Sequence, residues 1–364
     1  MKKLLIFWLL LSTSLISFGQ RSDHLMKSKL DSVVDKLMEN YMKSGKRVGV
    51  SIGISYNGRK ATYNYGEIYP GAAILPTEKS NYEIGSITKT FTGLLVAHAI
   101  NEGKINLNDD IRKFLPADLN RLQYPNGQSV KIAYLLAHTA RFPNSFNHTL
   151  ISDAQKENFL KSLKETKLDS LKSFKYEYSN VGYQLLGLIL ERVYQKSYDE
   201  LIDKYITRPL GMKDTKTIYN ANEKPLLLQG YDKEGKVASP TTADLPAAGG
   251  LRSTVQDMLK YLDYQSKESD AAVKLTHRII VGDVDKEAYG FQWAIGKTWN
   301  WTQYLRIDGG TNGFRSFCVM YPTDQINIVL LSNQKDETSG LELYKVATGI
   351  YATVKNLMKD IKKR

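Results

Sequence analysis

Ser86 and Lys89 stand three residues apart in EIGSITKTFTGLL, residues 83–95. Residues three apart on a helix share a face, so the lysine amine can reach the serine oxygen. A serine hydroxyl is a poor nucleophile until a neighbouring base takes its proton. A lysine that is buried, or set beside other cations, can lose its charge near neutral pH and act as that base. A helix N-terminus adds free backbone N–H groups and the positive end of a dipole, both suited to developing negative charge. The alternative is an N-cap serine followed by a solvated lysine. Ser-x-x-Lys is also short enough to recur by accident, and Ser332-Asn333-Gln334-Lys335 is a second copy. That copy follows a strand-like run and leads into the polar KDETSG, so it reads as a turn. Behind Ser86, by contrast, Phe91, Leu94, Leu95 and Ala99 continue at helical spacing. A buried helix there would fix the position of its first turn.

The elements that must hold this pair follow from periodicity. Met26, Leu30, Val33, Leu37 and Tyr41 lie on one face of a helix over residues 24–43, with Gly45 as its stop. VGVSIGISY and RKATYNYGE flank Asn57-Gly58 and read as a β-hairpin. Residues 86–101 read as an apolar helix that ends near Gly103. Helical segments separated by loops follow, at 129–138, 181–196, 198–206 and 254–265. Strands return in YGFQWAIG, WTQYLRI, FRSFCVMYP and INIVLLSN. A last amphipathic helix carries Leu343, Val346, Ile350, Val354 and Leu357. The expected fold is α/β in the α+β sense: an antiparallel sheet built from both ends of the chain, flanked by N- and C-terminal helices, with an inserted all-α part. The α/β part spans about 21–103 and 286–364, the helical part about 104–285, and a site is expected between them.

The 364 residues suffice for a sizeable core, and the 42% hydrophobic and 24% charged composition is that of a globular protein. MKKLLIFWLLLSTSLISFGQRSD has a basic start and a run of 15 mostly apolar residues, Leu4 to Phe18, followed by small or polar ones. This is the layout of a signal peptide over residues 1–20, cleaved near Gly19 or Gln20. The run is short of the roughly 20 residues of a membrane span; an uncleaved anchor is the alternative. A periplasmic or secreted destination is expected, with no stable membrane span after cleavage. The formal charge of +12, about +10 once Lys2 and Lys3 are set aside, is scattered, and no nucleic-acid motif accompanies it. Cys318, the single cysteine, cannot form an internal disulfide and lies in a strand-like run, as a buried structural thiol would. The five histidines show no metal-ligand spacing. No loop has the form of a phosphate or dinucleotide motif, and no cofactor is expected.

From Ser86 and Lys89 onward the chain resembles the serine β-lactamase and penicillin-binding protein superfamily, especially its class C β-lactamase and esterase branch. There a Ser-x-x-Lys opens a helix at the junction of an α/β and an α-helical part, and the serine is acylated. The resemblance carries those roles to Ser86 and Lys89. It also implies a Tyr-x-Asn, found as Tyr178-Ser179-Asn180 ahead of VGYQLLGLILERV. Tyr178 would pass protons between serine and leaving group if a lysine lowers its pKa, and the Asn180 amide would hold a substrate carbonyl. Tyrosine is common here, with 23 in the chain, and Tyr124-Pro125-Asn126 also matches, but that copy sits in a loop with no helix after it. ITRPLGMKDT, PAAGGLRSTVQDMLKYL and LLAHTARFP extend the similarity over about residues 25–355. In the last of these, Ala140-Arg141-Phe142 replaces the more frequent Ser-Gly-Leu. His138 would belong to a structural turn rather than a triad.

The family's third element, Lys-Thr-Gly or His-x-Gly on a strand edging the pocket, is altered. Through GGTNGF it aligns with Ile307-Asp308-Gly309, or one residue on with Asp308-Gly309-Gly310. Neither register offers the cation that helps hold a substrate carboxylate. Arg306 is a poor substitute on an alternating strand. Gly310 can still donate a backbone N–H and, with that of Ser86, form an oxyanion hole. The expectation is a secreted serine hydrolase using an acyl-enzyme on an ester or amide, with a small-molecule or peptide-like acyl substrate, the cell envelope being one source. The alternative is a non-catalytic envelope binding or sensing protein that keeps the fold.

Overall fold

The computed structural model describes residues 28–146, 154–169, 175–224, 227–240 and 246–362. The signal-peptide reading and Met26 fall outside these residues. In chain order the elements are α1 (Lys29–Lys43), β1 (Gly49–Tyr56), β2 (Arg59–Gly66), β3 (Tyr82–Glu83), α2 (Thr88–Asn101), α3 (Ile132–Leu136), α4 (Ala154–Glu165), α5 (Asn180–Tyr194), α6 (Tyr198–Ile202), α7 (Arg208–Leu210), α8 (Pro246–Gly249), β4 (Arg252–Ser253), α9 (Val255–Lys267), α10 (Ala271–Thr276), β5 (Val281–Asp283), β6 (Glu287–Tyr289), β7 (Ala294–Lys297), β8 (Gln303–Gly310), β9 (Arg315–Tyr321), β10 (Ile326–Ser332) and α11 (Ser339–Lys362). Eight strands form one sheet in the order β2-β1-β10-β9-β8-β7-β6-β5, while β3 and β4 pair separately. All the ladders are antiparallel.

The hairpin turns at Asn57-Gly58, both at positive φ, 47° and 74°, the combination a two-residue turn needs to match strand twist. The central strands β1 and β10 are buried on both faces. On one face, Val50, Ile52 and Ile328 pack with Leu30, Val34 and Met38 of α1 and Leu343, Val346, Ile350 and Val354 of α11. On the other, Val329 and Leu331 join the larger core with Phe91 and Leu94 of α2, Leu259 of α9 and the helices beyond. The buried stripe of α1 runs through Leu30, Val34, Met38 and Tyr41. Val33 and Leu37 are only half-buried, so the stripe is rotated from the expected one. Among the described residues, no helix is long and apolar enough to cross a membrane.

YGFQWAIG is expected as one strand but is broken. β6 ends at Tyr289, Gln292 takes φ +75°, and β7 starts at Ala294. A side chain at Gly290 would press into the Thr276 carbonyl, so the chain turns there against α10. β7 pairs only as far as Ala294 with Arg306. The last residues of β8, Ile307 to Gly310, therefore keep one edge open.

That edge meets the turn before α2 backbone to backbone. A Cβ on Gly309 would lie 2.1 Å from the Ile84 carbonyl and 2.3 Å from Ser316 Oγ, while one on Gly85 would lie 2.7 Å from the Gly310 nitrogen. Ser316 Oγ donates to the same Ile84 carbonyl at 2.8 Å. This contact predicts unequal costs for one substitution at two glycines. Gly58→Ala meets open space and costs only the left-handed backbone penalty, about 1 kcal/mol. Gly309→Ala prises β8 from Ile84 and costs at least about 1–3 kcal/mol. Urea denaturation of the two variants measures the difference.

Candidate active site

Ser86 lies in a single 3₁₀ turn, Gly85–Ile87, that runs directly into α2. Gly85 enters it at φ +52°. The serine does not cap the helix: the cap positions of the turn and of α2 are Ile84 and Ile87, and neither makes a side-chain cap bond. Its Oγ instead shares a hydrogen bond with the Tyr178 hydroxyl and accepts from Lys89 Nζ at 3.1 Å.

Lys89 is completely buried. Nζ donates to Asn180 Oδ1 at 2.7 Å and to the Ala248 carbonyl at 2.5 Å. It also lies 4.8 Å from the centre of the Tyr178 ring. Burial holds the amine well below the ordinary lysine range, only partly opposed by the Asp308 charge. Two carbonyl oxygens and Ser86 Oγ take its N–H groups, and when the amine gives up a proton its lone pair can face the Ser86 hydroxyl. α8 brings the Ala248 carbonyl because α5 has Gly187 beneath it; a Cβ there would sit 2.3 Å from Ala247 Cβ. Thr92 Oγ1 fastens the same helix by donating to the Ala247 carbonyl at 2.6 Å.

Tyr178 corrects one expectation. Its pKa is not lowered by the lysine. Burial pushes it up to about 12, against a smaller opposing effect of the Ser86 hydrogen bond. The group is thus a phenol at rest, able to relay a proton but not to serve as the standing base. Asn180 follows the N-cap Ser179, whose Oγ accepts from the Gly182 N–H at 3.0 Å. Besides Lys89, Asn180 is tied by Nδ2 to Asn144 Oδ1 at 3.0 Å. One N–H of that amide remains for a substrate carbonyl.

His138 is buried and sits at φ +54°. Nδ1 accepts from the Ser179 N–H at 3.0 Å and Nε2 faces Gln292 Oε1 at 2.6 Å. That arrangement places the proton on Nε2. Burial, with the Lys89 charge behind it, depresses the imidazole to about 3. His138 makes no bond to Ser86 and packs against the Tyr178 ring, centroids 4.6 Å apart. It is a positioning residue. Arg141, where glycine is more frequent, takes φ +64°, a conformation that favours glycine, and pairs with Glu177 beside Tyr178.

The third element splits by face. Ile307 is buried against the core and edges the cleft without offering a cation, and Gly309 is packed under Ile84. Asp308 and Gly310 line a cleft of about 430 Å³ together with Ser86, Tyr178 and Asn180. Arg306 lines it too, but is paired with Glu287 at 2.5 Å. The Gly310 nitrogen lies against Gly85, beside the Ser86 turn.

Both sequence decoys resolve. Tyr124 is buried, its hydroxyl donating to the Ala140 carbonyl at 3.3 Å. Ser332 ends β10, far from any helix start, yet Lys335 of that copy lines the same cleft as Ser86, and so does Arg315. Sequence reasoning missed these two, together with Ala248 and Gln292. Only Lys335 left a signal, in a motif set aside for lacking a helix. Cys318 is buried and its thiol is pushed up by burial. Among the described residues, no group of His, Cys, Asp and Glu could hold a metal ion.

A sequence model of the family described as Beta-lactamase matches residues 34–349. The chain belongs to the Beta-lactamase family. It is 31% identical over 325 residues to Protein flp of Staphylococcus aureus strain MRSA252, covering 84% of this chain. The chain spans only 63% of the length of that relative. It is 25% identical to a Beta-lactamase of Providencia stuartii, covering 83% of this chain and 86% of that one. In fold it is similar to a class C beta-lactamase, with TM-score 0.80 and 22% identity over 91% of this chain and 98% of the other. It is also similar to a Beta-Lactamase/D-Alanine Carboxypeptidase from Pseudomonas syringae, with TM-score 0.78 and 22% identity over 89% and 99%. The α+β architecture with an antiparallel sheet is thus that of the class C members.

The buried imidazole predicts acid sensitivity. Below its ordinary value of 6.5 the unfolded chain takes up a proton that folded His138 refuses until about pH 3. Stability therefore falls as pH drops through that window, and His98, also depressed by burial, adds to it. Melting temperature is expected to fall between pH 7 and 5. His138→Asn keeps an acceptor for Ser179 but cannot titrate, so it should melt lower at pH 7 and show a shallower slope.

Proposed function

We propose that this Beta-lactamase-family serine hydrolase works through an acyl-enzyme formed on Ser86, with an ester or an amide as substrate. The observation that carries the reading is the buried Lys89 amine, held by two carbonyl oxygens with Ser86 Oγ at 3.1 Å. Lys89 takes the Ser86 proton and Oγ bonds to the substrate carbonyl carbon. The charge gathering on the carbonyl oxygen meets the N–H groups of Ser86 and Gly310, each such donor being worth roughly 10²–10³ in rate. The phenol of Tyr178 gives its proton to the leaving group as the bond to that group breaks, and the phenolate is refilled directly from protonated Lys89. Water then attacks the ester carbon while Lys89 takes its proton, and the Lys89–Tyr178 pair returns that proton to Ser86 Oγ as the acyl–Oγ bond breaks and the acid leaves. Asn180 holds Lys89 and offers its spare N–H to the substrate.

The uncharged Ile307 and the acidic Asp308, both edging the cleft, favour esters or neutral amides over efficient β-lactam hydrolysis or D-alanyl-D-alanine trimming. The reading also includes export: residues 1–20 would act as a signal peptide and place the enzyme in the periplasm or outside.

A fluorophosphonate probe should label the protein, and Ser86→Ala should abolish labelling. Lys89→Ala and Tyr178→Phe should each slow ester turnover about 10²–10⁴-fold. No labelling by any acylating probe would point instead to a binding protein that keeps the fold. Strong nitrocefin turnover without p-nitrophenyl ester turnover would sink the substrate preference.

The pH profile supplies a second check. Only neutral Lys89 accepts a proton, so acylation is retained above its depressed pKa and lost as pH falls through it. The acid limb of kcat/KM for p-nitrophenyl acetate should lie well below 10.5. Tyr178, near 12, adds no limb at neutral pH.

A further inference from the structure

The turn between β7 and β8, Thr298 to Thr302, carries Trp299 and Trp301, exposed by 94% and 73%. The turn is firmly held. The Thr298 N–H donates to the Thr302 carbonyl and the Trp301 N–H to the Thr298 carbonyl, both at 2.9 Å. The Thr302 N–H donates to Thr298 Oγ1 at 3.1 Å, and Lys355 Nζ of α11 donates to Thr302 Oγ1 at 2.8 Å. Trp301 takes φ +64°, a backbone conformation uncommon for a bulky residue and costly to hold. Packing within the fold does little to offset that strain, because most of the indole is in solvent. Lys297 Nζ lies 5.1 Å from its ring centre.

Behind Trp299 a cavity of about 400 Å³ lies between the turn and α11. Phe317, Tyr321 and Tyr351 are its buried floor, with Trp299 and Lys359 on its exposed rim. Lys355 and Lys359, four apart, share the face of α11 beside it. Lys297 is paired with Asp285 and Lys355 with Asp324. The surplus positive charge lies further along. KDIKKR, residues 359–364, has four cations to one carboxylate, and α11 runs to Lys362. Indoles settle at the boundary between water and hydrocarbon, and clustered lysines beside them suit anionic headgroups. The charge therefore favours an anionic lipid over a neutral glycan as the partner of the two indoles.

We propose that Trp299, Trp301 and the basic end of α11 form a docking surface for an anionic lipid bilayer, with the two indoles seated among the headgroups. The binding is peripheral and reversible, since no acyl chain or spanning helix anchors it. It is independent of the acyl-enzyme reading. The turn and the Ser86 cleft lie at opposite ends of β8, which rises roughly 23 Å from Gln303 to Gly310 at about 3.3 Å per residue. Docking through the turn thus leaves the cleft unblocked.

Indole fluorescence tests this. The full chain is folded first, and residues 1–20 are then cut away at an engineered protease site, which also removes Trp8. Trp293 is fully buried, so a change in emission reports Trp299 and Trp301. Vesicles of equal parts phosphatidylglycerol and phosphatidylcholine should shift the emission to the blue, and brominated acyl chains in them should quench it. Phosphatidylcholine alone should act far more weakly, and added salt should release the protein. Lys359→Gln, Lys362→Gln and Lys363→Gln together should raise the lipid needed for half the response, by about fivefold for each charge removed. Trp299→Ser should weaken the response of Trp301. Melting temperature, expected to be unchanged in these surface variants, separates lost docking from lost folding. No response to the anionic vesicles overturns the proposal, as does one that phosphatidylcholine alone matches or that the three lysine substitutions leave unchanged. An emission change with an insoluble glycan and none with vesicles would overturn it too, and would make the patch a sugar site.

Discussion

A lysine with its amine sealed from water sets the terms for the rest of this molecule. Taking an ammonium out of solvent without a counter-charge costs at least several kcal/mol, and among the described residues no carboxylate bonds to Lys89. The fold meets that cost by supplying neutral oxygen acceptors and by holding the amine well below the ordinary lysine range. Each acceptor requires its own piece of architecture. Asn180 Oδ1 arrives from the first residue of α5. The Ala248 carbonyl comes from a four-residue helix that can sit close only because Gly187 lacks a side chain. Tyrosine rings close the remaining sides. The same burial that raises the phenol of Tyr178 depresses the lysine. Proton acceptor and proton relay are thus set apart by one cause.

The sheet and the helical layer are then coupled at two points. Glycines in both partners let the open edge of β8 touch the turn that carries Ser86, with main chain against main chain. On the other side, Gln292, at the break between β6 and β7, reaches His138, which in turn holds the Ser179 N–H. The strand break is therefore a device. A continuous strand would have carried Gln292 past the histidine. Arg141 is a related case, since a left-handed arginine is tolerated beside an ion pair that reaches back to the residue before Tyr178.

Much of this was legible in the sequence because local patterns carried it. The Asn57-Gly58 hairpin, the apolar run behind Ser86 and the long final helix follow from period and turn chemistry. Ser86, Lys89, Tyr178 and Asn180 were found through short motifs, and the structure brings them together. What resisted has a common physical character: it depends on burial and on neighbours distant in sequence. The direction of the Tyr178 shift could not be read without knowing how little water reaches it. A backbone carbonyl such as that of Ala248 has no identity in a one-letter code. Val33 was misplaced, while Leu37 packs at the edge of the core, because a stripe two residues wide can be drawn along either side of α1. Lys335 was hidden inside a motif whose serine is a strand end, although its lysine lines the Ser86 cleft.

The groups around Lys89 come from residues 86, 178, 180, 183 and 248, so no short fragment contains Ser86 together with all its supports. The helices that carry them must be packed together before the amine is sealed from water. Reactivity at Ser86 thus reports on completed folding, and a preparation can be counted molecule by molecule through the fraction of chains that accept one acyl group. Partly assembled forms would be chemically silent.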